Sequence, residues 1–439
     1  GYLASRGIPL ALPADPGLRF NWNPFTETWR NLRFARGNRT VFLSVLGISW
    51  FWFYGALVLA QLPNYTKLNL GGSEQVVTLL LTLFSLGIGL GSLLCERLSG
   101  HKVEIGLVPF GSIGLTLFGL DLYLASPAAQ SQPGELVGAW TFLQAPGSWR
   151  VVLDVVLVGL FGGFYIVPLY ALVQSRSQVS HRSRIIAANN ILNALFMVVS
   201  ALLAIVLLGA GLDIPELILV TALLNAAVAV YIYTLVPEFL MRFLAWMLIH
   251  LGYRIKKEGL ERIPEEGPCV LVCNHVSFMD ALIIAGCVRR PTRFVMDHRI
   301  FATPLLRFIF RSVGAVPIAP AKENPQLLEQ AYERISQYLR AGEVVCIFPE
   351  GRITDSGEIG PFRSGIERIL ARDPVPVVPM ALQGLWGSFF SRKGGPAMRR
   401  FPRRFWSRIG LRVGEPLPAE AVSAERLREK VLELRGEWA

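Results

Sequence analysis

Charge is scarce in this 439-residue chain: Asp, Glu, Lys and Arg make up 17% of it, hydrophobic residues 52%, and the mean hydropathy is +0.44. That balance excludes an ordinary soluble protein and calls for a membrane-embedded portion. Cysteine is rare as well. The five cysteines form no CxxC pair and no cluster with histidine at metal-ligand spacing, so neither a metal site nor a disulfide framework is expected, and no bound cofactor is implied. Cys269 and Cys273 bracket the β-like run CVLVC and read as buried, reduced core residues. No GxSxG occurs, which disfavours a serine acyl-enzyme. The opening stretch GYLASRGIPLALPADPGLRFNWNPF is polar and Pro-rich, without the apolar run of a signal peptide. It reads as an interior linker, so a further portion is expected upstream of Gly1.

What is abundant is long apolar sequence. Runs of the length that spans a bilayer, about 20 residues, lie at about 40–63, 75–95, 104–125, 151–174, 185–209 and 214–236. Past residue 252 they stop. Short β-branched runs (CVLVC, EVVCIF, VPVVPMAL) then alternate with charged, helix-periodic stretches such as 325–341, the pattern of an α/β domain. The expected fold is therefore a multi-domain membrane protein. A linker over 1–39 leads into a six-helix, all-α transmembrane unit over 40–236, and an α/β domain occupies 258–439. Between them PEFLMRFLAWMLIHLGYRIKK, 237–257, reads as an amphipathic helix lying in the membrane interface, closed by Arg254, Lys256 and Lys257.

The net charge of +11 suits anionic partners, and at this hydropathy lipid headgroups or phosphorylated substrates fit better than nucleic acid. The charge is also unevenly placed. Arg30, Arg33, Arg36 and Arg39 precede the first span, Arg97 and Lys102 follow the second, and Arg176, Arg182 and Arg184 follow the fourth. The alternate loops hold little beyond Lys67 and Arg150. The positive-inside rule then puts both ends of the six-span unit, and the α/β domain, on the cytoplasmic side of the inner membrane.

Three stretches of the α/β half carry chemistry. In LVCNHVSFMD, His275 and Asp280 stand five positions apart, too far round a continuous helix to meet. They can pair if His275 lies in a turn after the strand PCVLVC, with Ser277 as N-cap of a helix FMDALIIAGCV that carries Asp280. Seventy-five positions after His275, EVVCI runs into FPEGRIT, a turn expected to expose Glu350 and to let a ligand approach the backbone at Gly351, with Arg352 and Thr354 following. In VPVVPMAL, Pro376 and Pro379 suggest an edge strand or a bend.

In this order, NHVSFMD, FPEGRIT and VVPMAL resemble the glycerolipid acyltransferases, typified by 1-acylglycerol-3-phosphate acyltransferase, over about residues 240–439. The resemblance implies that His275 is the general base on an acceptor hydroxyl and Asp280 its orienting carboxylate. It implies acceptor contacts at Glu350, Gly351, Arg352, Thr354, Lys322 and Pro379. The co-substrate would be acyl-CoA or an acyl-acyl carrier protein, and the acceptor 1-acylglycerol-3-phosphate or another lysophospholipid. An alcohol is a poor nucleophile until its proton is being removed, so such a transfer needs a base. Two departures from the family pattern concern the headgroup: VPIAP ends in Ala319 and Pro320 with Lys322 next, and Arg352 follows Gly351 directly. Both resemble the branch that reacylates lysophospholipids. From Pro374 to Gly414 there is no acidic residue, while Arg392, Lys393, Arg399, Arg400, Arg403, Arg404, Arg408 and Arg412 fall there. That stretch reads as a solvated basic surface, or as a patch docking anionic lipid or the acidic acyl donor.

GSLLCERLSGHKVE, between the second and third spans, resembles a loop of the major facilitator superfamily, and VPLYALVQSRSQVSHRSRIIAANNILNALFMV is similar to that superfamily's lysophospholipid transporters. The resemblance implies the second, facilitator-like half of a transporter whose N-terminal half is missing from this chain. Asn189 and Asn193, four apart on one helical face, and Asp154 in another span are the pathway candidates; asparagine at this depth also glues helices together. The alternative function is a lysophospholipid transporter, or flippase, half with an accessory acyltransferase-like domain.

Overall fold

In the computed structural model, residues 6–7, 21–98, 107–128, 135–235, 237–288, 290–399 and 406–438 are described. The expected loop at Lys102 and the arginines Arg400, Arg403 and Arg404 lie outside them. The apolar runs form helices α2 (Arg39–Leu68), α3 (Glu74–Leu98), α4 (Leu107–Ala125), α6 (Ser148–Arg176), α7 (Arg182–Gly209) and α8 (Ile214–Leu235). Among the described residues these six are long and apolar enough to cross a membrane. Two shorter helices join them. α1 (Pro24–Arg36) occupies part of the expected linker, capped by Asn23, whose side chain accepts from the Phe25 and Thr26 N–H groups; α5 (Ala139–Gln144) precedes α6. Residues 1–39 are thus not all linker, because Asn23-Pro24 supplies both a cap and a first-turn proline. α9 (Pro237–Gly252) follows α8.

The chain divides into two compact units. The first comprises Gly1–Leu81, Pro127–Phe142 and Leu169–Leu217. Within it α2 packs along α7, and α1 lies against both. The Asn193 amide meets the Ser49 hydroxyl at 2.9 Å, and Asn189 is buried beside it. These two pathway candidates therefore sit in the α2–α7 contact, where a polar pair holds helices together.

The second unit comprises Thr82–Ser126, Leu143–Pro168 and Ile218–Ala439. Its apolar helices approach through glycine. A Cβ on Gly91 of α3 would lie 2.1 Å from the Leu160 carbonyl oxygen of α6, and one on Gly159 of α6 would lie 2.4 Å from the Phe84 oxygen of α3. With Gly87 and Gly163 a turn away on either helix, this is a small-residue crossing of the kind that lets membrane helices touch backbone to backbone. Asp154, in α6, is buried; Arg150, one turn earlier, pairs with Asp121 of α4.

The rest of this unit is a seven-stranded mixed sheet in the order β1-β7-β6-β2-β5-β3-β4. The strands are β1 (Tyr253–Glu258), β2 (Cys269–Cys273), β3 (Thr292–Asp297), β4 (Val316–Ile318), β5 (Val344–Ile347), β6 (Val377–Gln383) and β7 (Ser407–Val413). All neighbours are parallel except β6 and β7. The helices are α10 (Asp280–Cys287), α11 (His298–Phe301), α12 (Pro304–Ser312), α13 (Pro325–Arg340), α14 (Gly365–Arg372) and α15 (Ala424–Arg435). Strand residues alternate between two cores. Cys269, Leu271, Cys273, Cys346 and Met380 pack with Ile249 of α9 and Ile283, Ile284 and Cys287 of α10. Val270, Val272, Val345 and Ala381 pack with Tyr332 and Ile335 of α13, Ile366 of α14 and Val431 of α15. Burial on both faces is why β2 and β5 are unbroken apolar runs. All five cysteines are free and buried, Cys269 and Cys273 as the run CVLVC led one to expect.

Three details differ from the sequence expectation. Residues 253–257 are not helical: α9 ends at Gly252, and Arg254, Lys256 and Lys257 belong to β1, paired with β7. α9 is also more than an interfacial helix, since it buries Phe243, Ala245 and Ile249. Pro379 lies in an interior strand, not at an edge. β6 tolerates it because the ladder with β7 starts one residue later, at Met380 and Val413, and the Pro379 carbonyl accepts from the Gly414 N–H at 2.8 Å. N–H and C=O of one strand residue point the same way, so the donor that proline lacks falls just past the end of that ladder.

The glycine crossing is testable by adding one carbon. Gly91→Ala drives a Cβ into the Leu160 carbonyl and is expected to lower the thermal unfolding midpoint of the detergent-solubilised protein by the equivalent of about 1–3 kcal/mol. Gly89→Ala, which meets nothing within 4 Å, should leave it unchanged.

Candidate active site

The strands β6, β2, β5, β3 and β4 run parallel, so the turns leaving their C-terminal ends share one edge of the sheet. From β2 the chain crosses past β5 to β3, whereas from β5 it returns to β6 on the far side of β2. The edge above β2 is therefore a topological switch point, where an open α/β sheet leaves a crevice.

His275 and Asp280 meet there. The imidazole Nδ1 is 2.8 Å from Asp280 Oδ2; Asp280 is fully buried, while the His275 side chain remains 22% exposed. The same carboxylate accepts from the Val276 N–H at 2.6 Å, the Ser277 N–H at 2.9 Å and the Ser277 hydroxyl at 2.8 Å. Asp280 is also the first residue of α10, where the helix dipole favours an anion. A carboxylate so surrounded by donors stays an acceptor, so Nδ1 carries the imidazole proton and Nε2 is left as the basic nitrogen. Ser277 does not cap a helix in the expected way. The helix starts later, at Asp280, with Met279 in the capping position, and the Ser277 hydroxyl spends its proton on Asp280 while accepting from the Met279 N–H.

The backbone of this turn is pinned from both sides. Asn274, buried, donates from its side chain to the Leu382 carbonyl at 3.1 Å and accepts from the Leu382 N–H at 2.8 Å, replacing a strand residue beside β6. The His275 N–H donates to Glu350 Oε1 at 2.7 Å, and the His275 carbonyl accepts from the Thr354 N–H at 2.9 Å. The ring stacks on Phe348, with centroids 4.4 Å apart. From the third side, the segment after β6 reaches over: the Phe278 N–H donates to the Phe390 carbonyl at 3.2 Å.

Glu350 is placed otherwise than FPEG suggested. It is buried, and its second oxygen accepts from the Gly360 N–H at 2.9 Å, so both oxygens are committed to backbone. Burial pushes its carboxyl above the ordinary glutamate range, and the two N–H donors pull it back in part. Thr354 is likewise turned inward, its hydroxyl bonded to the Glu358 carbonyl and the Gly357 N–H. Gly351 has φ +69°, and the space a Cβ would take there is filled by the Arg363 guanidinium, 2.7 Å away. Arg352 is exposed, and neither it nor the Arg363 side chain makes a hydrogen bond or ion pair among the described residues. Lys322, also exposed, follows β4 on the same edge. Pro379 sits inside β6, away from any exposed position.

Asn274 and Phe348 open the motifs NHVSFMD and FPEGRIT but had no role assigned from sequence, and Gly360 and Arg363 lie outside every motif. The basic stretch is less free than its sequence implied, because Arg392 pairs with Asp355 at 3.3 Å and Arg412 with Glu258 at 2.8 Å. Among the described residues no group of histidines, cysteines and acids could hold a metal ion.

Residues 254–383 match the family model described as Acyltransferase. The chain is 31% identical over 148 residues to the chloroplastic 1-acyl-sn-glycerol-3-phosphate acyltransferase of Brassica napus, covering 34% of this chain and 42% of that one. It is 30% identical to 1-acyl-sn-glycerol-3-phosphate acyltransferase of Pseudomonas aeruginosa, over 34% of this chain and 57% of the relative. The match thus spans about half the length of these relatives. The crystal structure of a 1-acyl-sn-glycerophosphate acyltransferase from Thermotoga maritima aligns at 20% identity with a TM-score of 0.37, covering 46% of this chain and 82% of that one.

Replacing Glu350 by alanine removes the acceptor of two N–H groups at once. Each donor left without a partner costs about 1–3 kcal/mol where it is shielded from water. Glu350→Ala is expected to unfold at lower temperature than the parent in detergent, whereas Arg352→Ala, exposed and unbonded, should match the parent.

Proposed function

We propose that this protein is a membrane-bound O-acyltransferase that moves a fatty acyl group from an acyl thioester to the free hydroxyl of 1-acylglycerol-3-phosphate or another lysophospholipid. The observation that carries the reading is the contact of His275 Nδ1 with the buried Asp280 carboxylate at 2.8 Å, which leaves Nε2 on the open side of a partly exposed ring. The Acyltransferase match over residues 254–383 supports it.

In this mechanism Nε2 takes the proton of the acceptor hydroxyl as its oxygen attacks the thioester carbonyl. The tetrahedral intermediate collapses by breaking the C–S bond, and the imidazolium returns the proton to the leaving thiolate. Asp280 holds the tautomer and stabilises the imidazolium between the two transfers. Glu350 and Thr354 act by holding the His275 backbone in place. Arg352, Arg363 and the Gly351 backbone are the groups at this turn suited to an acceptor phosphate, with Lys322 on the same edge. Arg399 and Arg408, exposed and unpaired among the described residues, suit an acidic donor such as acyl-CoA or acyl carrier protein.

The six apolar helices would be half of a facilitator-type transporter, anchoring the enzyme and delivering its lipid. Arginines crowd the ends of the helices at Arg36, Arg39, Arg97, Arg176, Arg182 and Arg184, which supports a cytoplasmic domain on the inner membrane. A metal or cofactor has no step to perform.

The test uses the full chain in lipid nanodiscs with a radiolabelled acyl thioester and a series of lysolipids. Loss of the base is expected to lower kcat by about 10²–10⁴-fold in His275→Ala. Asp280→Asn, which turns an acceptor into a donor facing Nδ1, should also lose most activity. Undiminished turnover in both variants would sink the assignment.

A further inference from the structure

Among the described residues, none covers one face of α12. Pro304, Arg307, Phe308 and Arg311 fall on one arc of the helix at helical spacing, and all are exposed, Phe308 to 72%. On the other side Ile309 and Phe310 are half-buried, with Phe310 stacked toward Phe301 of α11, and Leu306 between them is exposed to 38%. Neither the Arg307 nor the Arg311 side chain has a hydrogen bond or ion pair among the described residues. The acid near this helix's lead-in is already engaged: Glu323 binds Arg299 at 2.7 Å and His298 at 3.3 Å. An exposed phenylalanine between two unneutralised arginines is costly in water. It is at home at the headgroup level of a bilayer, where the ring enters the acyl boundary and the guanidinium groups reach phosphates.

The position of α12 agrees with its composition. It lies against α9, which begins just after the apolar helix α8. Phe243 of α9 stacks on Phe110, in the first turn of the apolar helix α4, at 5.6 Å. Contacts within one compact unit therefore lead from an end of a candidate span, through α9, to α12. We infer that α12 is a membrane-seating element: its Arg307–Phe308–Arg311 face docks on anionic phospholipid beside the spans. This goes beyond the catalytic reading and does not depend on it.

The experiment keeps Arg307, Phe308 and Arg311 intact and labels the N-terminal end of their face. Pro304→Cys, with the five native cysteines buried, is coupled to an environment-sensitive fluorophore in the full chain. The protein is reconstituted into vesicles of phosphatidylcholine alone or mixed with phosphatidylglycerol. Gln330→Cys, exposed on α13 across the sheet, serves as the water-facing control. The inference expects the label at 304 to be blue-shifted, protected from iodide and quenched by spin-labelled lipid, most strongly with phosphatidylglycerol, while the label at 330 stays open to iodide. Adding Arg307→Gln or Arg311→Gln should lower the docked-to-undocked ratio on anionic vesicles about five-fold each, and Phe308→Ser should restore iodide access on both lipids. A label at 304 that iodide reaches equally on every vesicle overturns the inference. So does one shielded from both iodide and spin-labelled lipid, which would mark a protein contact, and so does docking indifferent to lipid charge.

Discussion

The α/β domain is organised around one buried anion. Asp280 is fully buried, and four donors, from His275, Val276 and twice from Ser277, converge on its two oxygens. A buried carboxylate is tolerable when its lone pairs are filled and a helix begins at it, and Asp280 meets both conditions. The consequence runs outward: the donors are consecutive residues, so the carboxylate fixes the conformation of the whole turn, and with it the direction of the imidazole. Ring orientation is therefore a property of the backbone, not of a rotamer that could drift.

A second layer holds that turn to the sheet. Asn274 pins it to β6, Glu350 and Thr354 pin it to the loop after β5, and Phe348 supports the ring face. Glu350 illustrates the trade involved, since burial raises its carboxyl above the ordinary range while its two N–H donors favour the ionised form. Precision at His275 is obtained by committing polar groups that could otherwise have faced a ligand. In the loop after β5, Arg352 and Arg363 stay exposed.

How much of this the sequence disclosed depended on whether an effect was local. The six apolar helices and the alternation of strands and helices could be read because hydropathy and periodicity are properties of contiguous residues. The His275–Asp280 pair was legible for the same reason: five residues around a turn set their own geometry. Glu350 was not, since whether a carboxylate faces solvent or a backbone amide depends on Gly360 and on a turn seventy-five positions earlier. Arg412 looked free because its partner, Glu258, stands on the neighbouring strand β1 and far back in the chain. Pro379 looked like an edge marker because composition does not reveal where a ladder begins. The helix over Pro24–Arg36 was hidden in a polar, Pro-rich stretch because one of its packing partners, α7, lies more than 140 residues further along the chain.

α9 has a consequence of a different kind. It buries Ile249 in the core of the α/β domain and stacks Phe243 on α4, so one rigid rod serves as both domain helix and connector. A flexible tether would let the domain explore a volume and meet lipids from many angles. A rod that is itself part of the core removes that freedom. With the apolar helices in a bilayer, encounter with the proposed lipid acceptor would become a search in two dimensions, governed by the mole fraction of that lipid in the bilayer and its lateral diffusion, and not by its concentration in the surrounding water.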